Sequence, residues 1–298
     1  MRAAVVGLGV MGKLHARVYK ELGSLVAVCD LDGAVAESVG RMCGVPGFSS
    51  LMAMLDYGVD AVSIVVPTLV HRRITEDCIG RGCHVLIEKP LAPTVEEAEA
   101  ILSLQAANRI VAVGYIETYN PAFRAVKSIA THPGFGEITS VNIRRVGGLP
   151  RSADNVILDL MTHDIGLLMD LFGCAPDSVY VHRRGDAGNG IINSAQALFS
   201  FGQASASCEA NWVSPIKIRQ IVVTGTQGYC EADLIGQKVT KFVGGSNPQQ
   251  WGVDQYSREP LKEELQAFLA NARNPGTANM VDARRGLEIL KVTLEACQ

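Results

Sequence analysis

The 298-residue chain has little that would tie it to nucleic acid, to a bilayer or to a disulfide framework. Its 27 basic side chains are outnumbered by 30 acidic ones, and they form no basic stripe. A nucleic-acid binder needs such a surplus, so that class is excluded. No apolar run approaches the ~20 residues that span a membrane. Even Val156–Phe172 is interrupted by Asp159, His163, Asp164 and Asp170. The eight cysteines are scattered, and the closest pair, Cys78 and Cys83, is not a CxxC. No zinc knuckle or redox motif is therefore present, no metal is expected, and reduced thiols in an intracellular enzyme are the plain expectation. Met1-Arg2 runs into only four apolar residues before Gly7, too short for a signal-peptide core, so a cytoplasmic location is expected.

What is present reads as a two-domain globular protein. Hydrophobic residues make up 48% of a chain longer than a single core usually grows. Over the first 120 residues, short apolar runs (Ala3–Val6, Leu25–Cys29, Ala61–Val66, His84–Ile87, Ile110–Val113) alternate with amphipathic helical stretches. That alternation is the signature of a parallel sheet built from βαβ units. After Pro121 the pattern changes. One helix and a strand at Ile138–Val146 lead to a long helix over Val156–Phe172, then to adjacent β-like runs between Ser178 and Val243. Two helices, Leu261–Ala272 and Val281–Ala296, end the chain. We expect an N-terminal α/β domain over 1–120 and a C-terminal α+β domain over 121–298 with an open, mostly antiparallel sheet.

Gly7-Leu8-Gly9-Val10-Met11-Gly12 follows the first strand and opens a helix, and Asp30 ends the second strand. In this context G-x-G-x-x-G is the Rossmann dinucleotide fingerprint. Gly7 allows the tight turn, Gly9 lets backbone approach the pyrophosphate, and Gly12 lets helix and strand pack closely. Asp30 would accept hydrogen bonds from the ribose hydroxyls. With Leu31-Asp32-Gly33 after it and no arginine, NAD is expected over NADP. Pro67-Thr68-x-x-His71 follows the strand Ala61–Val66 and should line the same crevice. Two alternatives stay open there: Thr68 as a helix cap, and His71 as an exposed helix residue.

Removing a hydride from an alcohol requires a base for the hydroxyl proton. None of the seven tyrosines has a lysine four residues on, so the Tyr-x-x-x-Lys solution is absent, as is a zinc ligand set. What remains is Glu88-Lys89-Pro90 and Asp159-x-x-x-His163. The proline restricts the backbone of Lys89, whose ammonium could stabilise an alkoxide or, if desolvated, take the proton. Asp159 and His163 share one face of a helix, and a carboxylate beside an imidazole orients it and raises its basicity. The alternative is a solvated Asp–His pair, which the apolar flanks of that helix disfavour.

Together these motifs resemble the Gfo/Idh/MocA oxidoreductases, in order over nearly the whole chain. The resemblance implies an NAD-binding Rossmann domain, a substrate domain that also mediates oligomerisation, and a homodimer or homotetramer. It implies that Lys89 and His163, assisted by Asp159, surround the reacting carbinol, and that Glu88 and Asn120 join the cofactor contacts. Asn155 stands where relatives often carry glycine. The segments Gly114–Ala122, Ala210–Arg219 and Thr224–Gly228 resemble the UDP-N-acetylglucosamine 3-dehydrogenase branch, although Thr118 replaces the usual arginine. A UDP-sugar needs cations for its diphosphate. Arg151, Lys217 and Arg219 are candidates, with Tyr115 as a further substrate contact. Two other functions share these residues: a free-sugar or cyclitol dehydrogenase, and a non-catalytic NAD-binding regulator.

Overall fold

The computed structural model describes residues 1–105, 109–148, 155–185, 190–243, 249–252 and 259–298. They form two units: Met1–Tyr115 with Leu261–Leu290, and Ile116–Pro260 with Lys291–Gln298.

In the first unit the elements run β1 (Ala3–Val6), α1 (Val10–Glu21), β2 (Leu25–Cys29), α2 (Gly33–Cys43), β3 (Gly47–Phe48), α3 (Leu51–Asp56), β4 (Ala61–Ile64), α4 (His71–Gly80), β5 (His84–Glu88), α5 (Val95–Ser103) and β6 (Val111–Gly114). The sheet is wholly parallel, in the order β3-β2-β1-β4-β5-β6. Strands β1, β4 and β6 are buried along their whole length, as a parallel sheet covered on both faces demands. The order reverses between β1 and β4, and ligands of such sheets sit outside the carboxyl ends at that reversal. The turns after β1, β4 and β5 carry the glycine loop, Pro67–Thr68 and Lys89.

The second unit contains α6 (Pro121–Ala130), β7 (Ile138–Val146) and α7 (Thr162–Phe172), followed by β8 (Ser178–Gly185), β9 (Ile192–Phe201), β10 (Ala204–Asn211), β11 (Ile218–Gly225), β12 (Gly228–Asp233), β13 (Lys238–Val243) and β14 (Gln249–Gly252). Its eight-stranded sheet has the order β14-β13-β12-β11-β7-β10-β9-β8, antiparallel except for β7 beside β10. Small inward residues such as Ala195, Ala197, Ala206 and Ala210 are buried. On the opposite face Leu198 is 59% exposed.

The boundary differs from the expected one, and the chain crosses back. Two helices close the sequence, α8 (Pro260–Arg273) and α9 (Ala283–Cys297), and Leu261–Leu290 belongs to the first unit rather than the second. Backbone pairing explains the return. Val113 donates its N–H to Val281 O at 2.8 Å, and Ala112 bridges Asp282, so the stretch before α9 completes the edge of β6. Helix α8 buries Leu261, Glu264, Leu265 and Phe268, an i, i+3, i+4, i+7 stripe. Each fully buried apolar side chain there contributes roughly 2 kcal/mol. Among the described residues no helix is long and apolar enough to cross a membrane.

Glu264 is the exception in that stripe. Its carboxyl is fully buried, and neither oxygen has a hydrogen-bond partner among the described residues. Burial, reinforced by the nearby Glu88 carboxylate, pushes its pKa well above the carboxylate range. The folded state thus holds this proton more tightly than the unfolded chain does. The stability this gives is complete below the unfolded value of about 4.3 and falls as pH rises towards the folded value. Glu264→Gln should therefore gain on the wild type by about 1.4 kcal/mol per pH unit above that point, until the folded pKa is reached. Urea unfolding between pH 5 and 8 checks this; a difference independent of pH would show that Glu264 is ionised in the fold.

Candidate active site

Three glycines shape the loop after β1, for two different reasons. Gly7 has φ +87°, and a Cβ there would lie 2.2 Å from Val65 O. A Cβ on Gly12 would lie 1.8 Å from Gly7 O. The chain itself forbids side chains at both. At Gly9 a Cβ would meet nothing within 4 Å, so nothing in the protein requires glycine there. Gly9 is also the N-cap of α1 and brings no side-chain acceptor, and Val10 after it is 73% exposed. An open cradle at a helix N-terminus fits an anion such as a pyrophosphate. Asp30 ties this loop down: Oδ2 accepts the Leu8 N–H at 2.7 Å and Oδ1 accepts the Asp32 N–H at 2.9 Å. Each oxygen keeps lone-pair capacity for a ribose hydroxyl.

The Lys89 segment is fastened on two sides by buried imidazoles. Glu88 Oε1 lies 3.0 Å from His15 Nε2 of α1, and Glu88 Oε2 accepts the Lys89 N–H at 3.3 Å. His71, only 1% exposed, places Nδ1 3.1 Å from Pro90 O and 3.2 Å from Leu91 O, and Nε2 3.0 Å from Val66 O. It therefore ties the turn after β4 to the residues following Lys89. Burial lowers its pKa, opposed by those carbonyls and by Glu88. His71 is therefore not an exposed helix residue but a buried bracket between the two turns. Glu88 likewise holds α1 to β5. Thr68 begins a 3-10 turn and caps neither that turn nor α4. The Lys89–Pro90 peptide is cis.

In the second unit the expected single helix over Val156–Phe172 opens with a π-turn at Ile157–Met161 before continuing as α7. Such turns cluster at functional sites because they re-aim side chains. Asn155 supplies the entry: its Oδ1 accepts the N–H groups of Ile157 at 2.9 Å and Leu158 at 3.0 Å. That accounts for asparagine where relatives often carry glycine. Asp159 Oδ2 accepts the indole N–H of Trp212 at 3.2 Å. His163 is half-buried on the first turn of α7.

Beneath it, fully buried Asp164 accepts Arg145 Nε at 2.6 Å, and Arg145 Nη1 donates to Glu117 Oε1 at 2.7 Å. Arg219 stands opposite Arg145 in the β7–β11 register. Two guanidiniums side by side would repel, and the two carboxylates relieve this. Burial pushes the Glu117 carboxyl up, but Arg145 holds it below the usual range. Burial lifts Asp164 to about 6 against the pull of Arg145. The sequence offered one signal for this cluster: Arg145 shares the inward face of β7 with Val141 and Ile143, a position where a charge needs a buried partner.

Several expected ligand contacts take other roles. Tyr115 is 1% exposed and belongs to the core, so its ring presents no face to a substrate. The Asn120 amide caps α6 through Ala122 N at 3.0 Å and donates to Leu234 O at 2.9 Å and Glu117 Oε2 at 3.3 Å. Its side chain is thus engaged inside the second unit rather than held out to a dinucleotide. Arg219 donates to the carbonyls of Val146, Ile218 and Gly147 at 2.6, 2.8 and 3.2 Å, which anchors the Gly147–Gly148 loop in place of a diphosphate. Lys217 is exposed and lies just before β11. Arg151 lies outside the described residues. Among the described residues no cluster of three or more His, Cys, Asp or Glu could hold a metal ion.

Comparison with known proteins agrees with this geometry. Residues 1–115 match the NAD-binding Rossmann fold of the Gfo/Idh/MocA oxidoreductases, and residues 123–231 match the C-terminal domain of the same family. The chain belongs to the Gfo/Idh/MocA oxidoreductase family. A UDP-N-acetylglucosamine 3-dehydrogenase of Acidithiobacillus ferrooxidans is 36% identical over 307 aligned positions, covering 99% of this chain and 96% of the relative. A solved structure of that organism's enzyme superposes with a TM-score of 0.91 at 28% identity, covering 100% of this chain and 96% of the other. An inositol 2-dehydrogenase of Rhodococcus jostii is more distant, at 25% identity over 82% of this chain and 68% of its own length. Residues 1–115 of the first unit are thus the family's NAD-binding Rossmann domain.

The glycine loop gives a direct test. Gly9→Ala should leave the melting temperature within a few degrees of wild type but weaken NAD binding at least ~10-fold, because the methyl group enters the phosphate's space. Gly12→Ala should instead destabilise the fold itself, since its Cβ meets backbone. Calorimetric NAD titration beside thermal melts separates the two; undiminished NAD affinity in Gly9→Ala would place the pyrophosphate elsewhere.

Proposed function

We propose that the chain oxidises a sugar hydroxyl, C3 of UDP-N-acetylglucosamine or a closely related UDP-sugar, with NAD as the oxidant. The observation that carries this reading is the end-to-end likeness to a UDP-N-acetylglucosamine 3-dehydrogenase, against partial coverage of the inositol enzyme. Bound NAD supplies the hydride acceptor. The chain's own residues supply the rest. His163 takes the hydroxyl proton, Asp159 orients its ring and stabilises the imidazolium, and the Lys89 ammonium stabilises negative charge on the oxygen. Gly7, Gly9 and Gly12 with Val10 and Met11 form the phosphate cradle, and Pro67 and Thr68 line the same sheet edge. Asp30 favours NAD, since a 2′-phosphate would meet a carboxylate with Leu31 and Asp32 beside it. Lys217 and Arg151 are the candidate cations for a diphosphate.

The reading extends to the setting of the reaction. All eight cysteines are unpaired, which suits the cytoplasm. The open face of the second sheet carries Tyr180 and Leu198 beside the Arg144–Glu209 ion pair. Apolar groups and both charge signs on one face suit a second copy of the chain, giving a homodimer or homotetramer.

The test is a panel of UDP-sugars, free sugars and inositols with NAD and NADP, followed by NADH absorbance, with light scattering on the same sample. UDP-N-acetylglucosamine should exceed free N-acetylglucosamine and inositols in kcat/KM by about 100-fold or more, and NAD should exceed NADP by a similar factor. His163→Ala should lower kcat by about 10²–10⁴ with NAD affinity unchanged. A preference for inositol would move the chain to the cyclitol dehydrogenases. NAD binding with no turnover of any sugar would make it a regulator, and a monomer would remove the oligomer.

A further inference from the structure

We propose that His71 is a positioning residue that works as a buried imidazolium. It donates at once to the turn after β4 and to the turn that carries Lys89; its part in turnover rests on the proposed role of Lys89. The ring is 1% exposed. Its polar contacts among the described residues are all to backbone carbonyls. Val66 O lies 3.0 Å from Nε2, and Pro90 O and Leu91 O lie 3.1 and 3.2 Å from Nδ1. A carbonyl oxygen only accepts, and a neutral imidazole has one donor and one lone pair. In either neutral tautomer, one nitrogen therefore turns its lone pair on a carbonyl oxygen. Protonated at both nitrogens, the ring satisfies all three acceptors.

Burial pulls the second proton off, while the Glu88 carboxylate and the three carbonyls hold it on. Two observations decide the contest for the imidazolium. The first is the hydrogen-bond count, since a bond left unmade on a buried nitrogen has no solvent to replace it. The second is the balance of charge. A buried cation persists where an anion answers it, and Glu88 at the end of β5 is that anion. Its oxygens accept from His15 Nε2 at 3.0 Å and from the Lys89 N–H at 3.3 Å. His15 has a partner at that nitrogen only, because Nδ1 is buried with no acceptor among the described residues. Glu264 on α8, the other carboxyl near Glu88, is held in its acid form and brings no charge. On the outer side of α4, Arg73 is exposed, and Arg72 pairs with Glu76 and with Glu97 of α5. The remaining charge on the turn after β5 is the Lys89 ammonium itself.

Donating from both nitrogens, the ring spans the carboxyl ends of β4 and β5, where the dinucleotide crevice of such a sheet lies. Val66 begins the turn that carries Pro67 and Thr68, and Pro90 and Leu91 follow Lys89 directly. Loss of one proton releases one of these turns, and the cofactor edge and the lysine then cease to be one piece. His71→Gln keeps a neutral donor and cannot carry the charge. At pH 7 it should lower kcat about 10–100-fold and weaken NAD binding about 3–10-fold.

The experiment has two arms on the intact protein. Nitrogen-15 NMR of the histidine rings, with the His71 signals identified by their loss in His71→Gln, should show a proton on both ring nitrogens of His71 at pH 7. In the second arm, kcat/KM for UDP-N-acetylglucosamine and calorimetric NAD affinity are followed from pH 6 to 10 in wild type and His71→Gln. The ratio of the two proteins cancels groups that titrate in both, Lys89 included. That ratio should shrink with rising pH, at the pH where NMR shows the ring losing its proton. A merely structural histidine would give a ratio indifferent to that pH. An unprotonated ring nitrogen on His71 at pH 7 overturns the proposal, and so does a ratio constant through the ring's titration. If Lys89→Met keeps its turnover, the role of Lys89 falls and the link from His71 to turnover falls with it. If no sugar is turned over at all, the proposed function fails, and the NMR and NAD measurements still decide whether His71 is the cation that joins the two turns.

Discussion

The second unit is organised around a guanidinium that has almost no access to water. Arg145 is 3% exposed, and burying such a charge is affordable only with carboxylates in contact. Asp164 and Glu117 meet that demand, and each brings an element with it. Asp164 fixes the helix carrying His163, while Glu117 and its neighbour Asn120 fix the start of α6. Removing one partner of a buried pair typically costs 3–5 kcal/mol, far more than the pair adds over an apolar substitute. The cluster therefore enforces one arrangement more than it adds stability. The helix that carries the proposed base, His163, is held in place by that trade.

The first unit reaches the same end with imidazoles. His15 and His71 are buried, and between them they bind the segment around Lys89 to α1 and to the turn after β4. Both elements also flank the glycine loop, so the cradle for the dinucleotide and the backbone that carries Lys89 are one connected piece of structure. Asp30 closes that piece by holding the Leu8 N–H. Binding groups and chemical groups are thus set by a few polar contacts within each unit, on a frame of apolar strands.

Much of this was legible in the sequence where the physics is local. The glycine loop reads directly, because a turn with φ +87° and a helix packed on Gly7 admit no side chain. The parallel sheet reads from apolar runs spaced by helices, and α7 reads from the apolar residues around His163. What did not read is what depends on distant partners. His71 was ambiguous because its three carbonyl contacts come from two separate turns. Tyr115 and Asn120 look like ligand contacts in a motif, and only tertiary structure shows one in the core and the other capping a helix. Arg219 looked like a free cation because its acceptors are backbone carbonyls, which every sequence contains. The return of Leu261–Leu290 to the first unit was invisible for the same reason: β6 closes on residues some 170 positions away, through backbone bonds with no signature in side chains.

The central claim, that this chain removes hydride from one defined sugar carbon, is tested most directly with isotope. UDP-N-acetylglucosamine carrying deuterium at C3 is incubated with the protein and NAD, and the reduced cofactor and the sugar product are weighed by mass spectrometry. The account predicts deuterium in the reduced cofactor, a product lighter by that label, and a slower turnover than with unlabelled sugar if hydride transfer limits the rate. Reduced cofactor without deuterium, formed from sugar that keeps its label, would mean that another carbon is oxidised and would contradict the account.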